Sequence, residues 1–247
     1  MFSRLQTIVF RSVLIMVLLI IFCVITLFIF VNCSQSRIEL NAEEFQKERN
    51  YSKEELLLFG DVAFPYNRIR KWNDDIKVEI VRTDRLNDAL ISEIDSIINI
   101  LSPLIYPIKM YRVPEHGNLK VHRKVDSIPI TTKDARGFCY VPPLIKTLSW
   151  DIKYAEVYDI WYSNVIFHEI LHAIGLQHPS KEPPFYMRIC SAYNFYSLDE
   201  VIFLLDNPLY ISEEEKLIIK MLYSPHIKPG LKRQKFLQKM NLCDNDT

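Results

Sequence analysis

The sequence predicts an α+β domain held behind a single transmembrane helix. Three observations carry that expectation: an uncharged apolar run near the N-terminus, alternating strand and helix patterns from residue 76 to 222, and one helix whose histidines recur at metal-ligand spacing. The 247 residues include 30 basic and 30 acidic side chains. That balance provides no basic field for a polyanion, so no nucleic-acid partner is expected.

The apolar run comes first. From Ser12 to Asn32 no residue is charged, and Val13 to Val31 is almost wholly Ile, Leu, Val, Phe and Met. About 19 such residues cross a hydrocarbon core of about 30 Å at about 1.5 Å per residue. A cleavable signal peptide has a shorter apolar core and small residues at its cut site. Phe30-Val31-Asn32-Cys33 offers neither feature clearly, so residues 12–32 read as a retained signal-anchor. Arg4 and Arg11 precede the run, and Glu39, Glu43 and Glu44 follow it. The positive-inside rule then leaves residues 1–11 as a cytoplasmic tail and puts the rest outside the cytoplasm. The charged stretch after the anchor reads as a stem or linker over 33–70, leading to one domain over 71–247.

The remaining elements follow in chain order. Ser52 and Glu55 form a capping box that opens a short helix through Leu58. Ile76, Val78 and Ile80 alternate with Lys77 and Glu79, a strand with one buried face. Leu86, Leu90, Ile94, Ile97, Ile98 and Leu101 then recur at helical spacing. Short strands are expected near 108–113, 119–125, 137–141 and 152–157, followed by a helix from about Trp161 to Ile174. Leu198 to Leu205, and a helix capped by Ser212 with Glu215 and running to Leu222, would form a smaller C-terminal part.

The chemistry lies at the end of the 161–174 helix. His168 and His172 stand four residues apart, so their rings project from one face and can grip one metal ion. Glu169 points about a quarter-turn away, which suits a general base better than a ligand. Gly175 can take the left-handed conformation that ends the helix, and the turn lets His178 come back as a third ligand. Three neutral imidazoles leave a fourth zinc position open. At this chain's own residue frequencies the five fixed positions would coincide by accident with a probability on the order of 10⁻⁵. An amphipathic core helix explains Ile166, Ile170, Leu171 and Ile174, but not Gly175 and His178.

His168-Glu169-x-x-His172-x-x-Gly175-x-x-His178 resembles the signature of the metzincin metallopeptidases at every fixed position. The resemblance implies a metzincin-like fold, with a twisted mixed sheet and active-site helix above a smaller C-terminal helical subdomain. It implies Zn2+ held by His168, His172 and His178, with Glu169 as catalytic base. It also implies a methionine turn beneath the metal, for which Met187 is the candidate. The tyrosine that some members place two residues later as a further ligand is Ile189 here. Related enzymes pair an extended peptide with an edge strand above the active helix. By order that strand is Gly137 to Val141, ended by Pro142 and Pro143. Phe59-Gly60-Asp61, Ile69-Arg70-Lys71-Trp72 and Leu222-Tyr223-Ser224-Pro225 are also similar to blocks in a largely bacterial family of exported proteins of unknown function. Its members often carry a degenerate form of the zinc motif, whereas this chain has every ligand.

The expected activity is therefore a membrane-anchored, extracytoplasmic zinc peptidase acting on a peptide or protein substrate. The alternative is a non-catalytic, zinc-stabilised module that binds peptides or envelope components; the intact Glu169 favours catalysis. Cys139 and Cys190 flank the expected cleft and are a candidate disulfide. His116, His122 and His226 read as surface or structural residues, and Lys228, Lys232, Arg233, Lys235 and Lys239 as a solvated helix. Oligomeric state is not legible in the sequence.

Overall fold

A computed structural model describes residues 15–26, 40–81, 88–123, 137–144, 149–159, 165–181, 187–189, 207 and 209–242. It divides into two units, residues 1–39 and 40–247. In the first, residues 15–26 are helical and every side chain is exposed. Among the described residues no helix is long and apolar enough to cross a membrane. Both ends of the expected span, 12–14 and 27–32, lie outside the described residues.

The second unit begins with helices α1 (Ala42–Glu48) and α2 (Lys53–Val62), the latter opened by the Ser52/Glu55 capping box as expected. A 3₁₀ turn (Pro65–Asn67) leads into β1 (Lys71–Trp72) and β2 (Ile76–Ile80). Helix α3 (Asp88–Leu101) follows, then β3 (Met110–Val113), β4 (Leu119–Arg123), β5 (Gly137–Tyr140), β6 (Asp151–Ile152) and β7 (Ala155–Asp159). Helices α4 (Ile166–Ala173), α5 (Glu213–Tyr223) and α6 (Arg233–Lys239) complete the described elements. The fold is mixed α+β.

The main sheet has the order β3-β2-β4-β7-β5, with β5 antiparallel to β7 and the other neighbours parallel. Its period-two pattern buries Ile76, Val78 and Ile80 on β2, Leu119 and Val121 on β4, and Ala155 and Val157 on β7. Helix α4 packs against β7 and β5, and α3 against β3. The strand expected over 152–157 is two strands. Asp151–Ile152 pairs with β1 in a separate parallel ribbon, and the main sheet resumes only at Ala155.

Residues 40–70, expected within the stem, belong instead to the compact unit. Phe45, Phe59 and Phe64 are buried against Phe236 of α6, with ring centroids 5.1–6.3 Å from it. Burying four phenylalanines together stabilises by several kcal/mol, at about 1.5–3 kcal/mol each. The aromatic partner lies about 190 residues away in the sequence, so the local charge of the 40–50 stretch gives no sign of it. Helix α6 is accordingly solvated on one face only.

Candidate metal centre

Helix α4 buries Ile166, Phe167, Ile170 and Leu171, with the Phe167 ring under the Arg188 guanidinium (5.3 Å), and leaves its two histidines half-buried. Its C-terminus is a Schellman turn: Leu176 N–H donates to Leu171 O (3.1 Å) and Gly175 N–H to His172 O (3.0 Å). Gly175 has φ +110°, and a Cβ there would stand 2.1 Å from the carbonyl oxygen of Arg70, so only glycine fits. Two further orphan carbonyls at the helix end receive side-chain donors. The Trp72 indole donates to Ala173 O (2.9 Å) and the Tyr223 hydroxyl to Ile174 O (3.0 Å).

The chain then returns and places the third histidine. The Nε2 atoms of His168, His172 and His178 lie 3.1, 3.0 and 3.1 Å from one another. His168 Nδ1 is 2.7 Å from Arg188 O, and His172 Nδ1 is 2.9 Å from Leu176 O. A carbonyl only accepts, so both Nδ1 atoms carry the proton and both Nε2 lone pairs face inward. Burial pushes His168 down to about 3 and His172 to about 4, so both rings are neutral at physiological pH. Lone pairs facing one another with no proton between them repel, and a shared cation removes the repulsion. The three histidines can hold a metal ion.

Each histidine of the cluster has its own support. Arg188, whose carbonyl orients His168, donates from Nε to Tyr210 O (2.6 Å) and from Nη2 to Asn207 O (2.8 Å). The next residue, Ile189, donates its N–H to Glu215 Oε1 (2.7 Å), and Glu215 in turn closes the Ser212 capping box at the start of α5. Met187 is fully buried at the head of this segment, and Ile189 supplies a backbone bond rather than a ligand. The His178 loop is tied to α2. Gln177 N–H donates to Val62 O (2.8 Å), its side-chain amide to Asp61 O (2.6 Å), and Ser180 N–H to Asp61 Oδ2 (2.7 Å).

Glu169 is 8% exposed beside the histidines. Burial, with the nearby Asp159 carboxylate, raises its pKa to about 8. Gly137 of β5 makes room for it: a Cβ there would meet Glu169 Oε1 at 2.8 Å and Val165 Cγ2 at 2.5 Å. The same strand borders a cleft of about 790 Å³, lined by residues 137–141, the three histidines, Glu169, Tyr66 and Arg70. Strand β5 is an edge strand of the sheet, as expected. Cys139 is a free thiol, and Cys190 lies outside the described residues. The candidate pairing of Cys139 is therefore corrected: its half-buried thiol lines the cleft, where desolvation and the Glu169 charge push its pKa well up.

The other histidines are elsewhere. His116 is exposed, His122 stacks on Tyr158 (centroids 4.5 Å apart), and His226 lies between Glu44 and Glu48. Gly137, Arg70 and Asp61 were not singled out as site residues by sequence. Arg70 and Asp61 enter the sequence reading only within the blocks Ile69-Arg70-Lys71-Trp72 and Phe59-Gly60-Asp61, and Gly137 only as the start of the expected edge strand. Comparison of the chain with protein-family profiles and with curated proteins gives no match. The metzincin resemblance therefore stands on the motif and on the geometry it produces.

Proposed function

We propose that the chain is a membrane-anchored, extracytoplasmic zinc metallopeptidase of the metzincin type. The observation that carries this reading is the convergence of three inward-facing Nε2 atoms at 3.0–3.1 Å, with a buried carboxylate beside them and a sheet edge above. Zinc suits the donor set: tetrahedral bonds of about 2.0–2.1 Å place nitrogens about 3.3 Å apart, close to the separations found. His168, His172 and His178 would hold the ion. What zinc supplies when bound is an acidified water and Lewis-acid stabilisation of developing negative charge.

The chain's own residues do the rest. The outer edge of β5, the last strand of the sheet among the described residues, offers backbone donors and acceptors that fix an extended peptide across the cleft. Glu169 takes the proton of the attacking water on its carboxylate and delivers it to the leaving amine nitrogen. A dication nearby favours the ionised carboxylate over the neutral form that burial alone prefers. The exported, anchored location rests on the sequence, through the uncharged apolar run Val13 to Val31 and the arginines that precede it.

The test is metal analysis of the purified full chain, followed by digestion of a peptide library by wild type and Glu169→Ala. The reading expects one zinc per chain in both proteins and cleavage that falls by about 100-fold or more in the variant. Stoichiometric zinc without Glu169-dependent cleavage would favour the binding module instead.

A further inference from the structure

Arg70 is an anomaly in the cleft wall. It is 5% exposed, yet no carboxylate pairs with it among the described residues. Its Nη2 donates to Pro142 O (2.9 Å), a neutral acceptor, and its Nε is buried with no hydrogen-bond partner among the described residues. Burial lowers its pKa, but a guanidinium stays charged at any physiological pH. An isolated buried cation is costly unless an anion joins it. The Arg70 backbone, by contrast, is closely placed, since its carbonyl is the atom that forces glycine at 175.

The position of the residue says what would join it. Its backbone lies under the turn between the second and third histidines, and its side chain reaches the carbonyl just past the end of β5. A peptide extended along β5 therefore arrives at Arg70 where that strand stops. Tyr66 borders the same cleft, 84% exposed and in a left-handed conformation (φ 58°), a strained placement that holds an aromatic ring at the cleft mouth. We infer that the Pro142 end of the cleft is an anion subsite, in which Arg70 binds a carboxylate of the peptide ligand. Guanidinium and carboxylate match through charge and N–H donors, and the Arg70 side chain, which lines the cleft, presents them. The carboxylate is either the peptide's C-terminus or an Asp or Glu side chain. The inference rests on the peptide-binding reading of this cleft, but not on turnover.

The test measures binding in full-length, zinc-loaded Glu169→Gln protein, so that cleavage does not interfere. The probes are fluorescein-labelled Ala/Leu heptapeptides: one amidated and neutral, one with a free C-terminal carboxylate, and an amidated set with a single Glu at each position. At least one carboxylate probe is expected to bind about tenfold or more tighter than the neutral peptide. Preference for the free C-terminus marks end recognition; preference for one Glu position marks side-chain recognition. Adding Arg70→Gln should bring the probes to parity with zinc content unchanged, while Arg70→Lys keeps part of the preference. Carboxylate and neutral probes that bind alike, or fail to bind, overturn the inference without any variant. So does a preference that survives Arg70→Gln. Carboxylate-selective binding by a wild-type protein that cleaves nothing would remove the peptidase reading and leave the subsite standing.

Discussion

Gly137 and Glu169 meet across the seam between β5 and α4, at a distance that leaves no room for a side chain on the strand. A Cβ on residue 137 would lie 2.8 Å from Glu169 Oε1 and 3.0 Å from its Cγ. The glycine therefore fixes where the carboxylate sits. Gly137→Ala should push Glu169 aside and lower kcat by about tenfold or more, with zinc content unchanged. Steady-state kinetics beside metal analysis checks this; an unaltered kcat would mean that the placement of Glu169 does not matter.

The turn between the second and third histidines makes a different demand. Gly175→Ala puts a methyl group 2.1 Å from Arg70 O at φ +110°. Left-handed strain alone costs on the order of 1–3 kcal/mol, before the clash is counted. Thermal unfolding should show a lowered Tm, and zinc retention during dialysis should fall, because His178 can no longer return.

Helix α2 reaches the three-histidine cluster through Asp61, which accepts from Ser180 N–H two residues beyond His178. Asp61→Ala removes that anchor without touching a ligand. Outer supports of this type are worth about 10–100-fold in metal affinity. Competition with a chelator should report a loss in that range, with the fold intact by circular dichroism.

How much of this was legible follows from where each signal resides. The motif at 168–178, the capping boxes at Ser52/Glu55 and Ser212/Glu215 and the alternation in Ile76–Ile80 are local patterns that each produced an element, although the motif helix, expected from about Trp161, starts at Ile166, with residues 161–164 outside the described ones. Residues 40–70 looked like a stem because Phe45 and Phe59 are sparse among charges, and their burial depends on Phe236 far along the chain. The break between β6 and β7 was hidden for the same reason. Lys153 and Tyr154 look like a continuing strand, and only pairing of Ile152 with Trp72 rather than with β4 separates the two. Arg70 and Gly137 gain meaning from the cleft they share.

Lys71 gives the fold a pH signature. It is buried, donating to Leu222 O (3.0 Å) and Ser224 O (3.1 Å), and burial pushes its pKa down to about 7 from the ordinary 10.5. Between those values the unfolded chain binds the extra proton, so stability rises with pH through this window. The slope from one group is at most about 1.4 kcal/mol per pH unit. The contribution is complete above pH 10.5 and lost as pH falls through 7. Denaturant unfolding at pH 7 to 10 should give a flatter profile for Lys71→Met than for wild type.

The most direct measurement of the central claim is a zinc K-edge absorption spectrum of the full-length protein. Three imidazole nitrogens at about 2.0–2.1 Å, with a fourth light atom completing the shell, are what the geometry of His168, His172 and His178 predicts. A protein that binds no zinc, or a spectrum with sulfur at about 2.3 Å, would contradict it, the latter by moving the site to a cysteine.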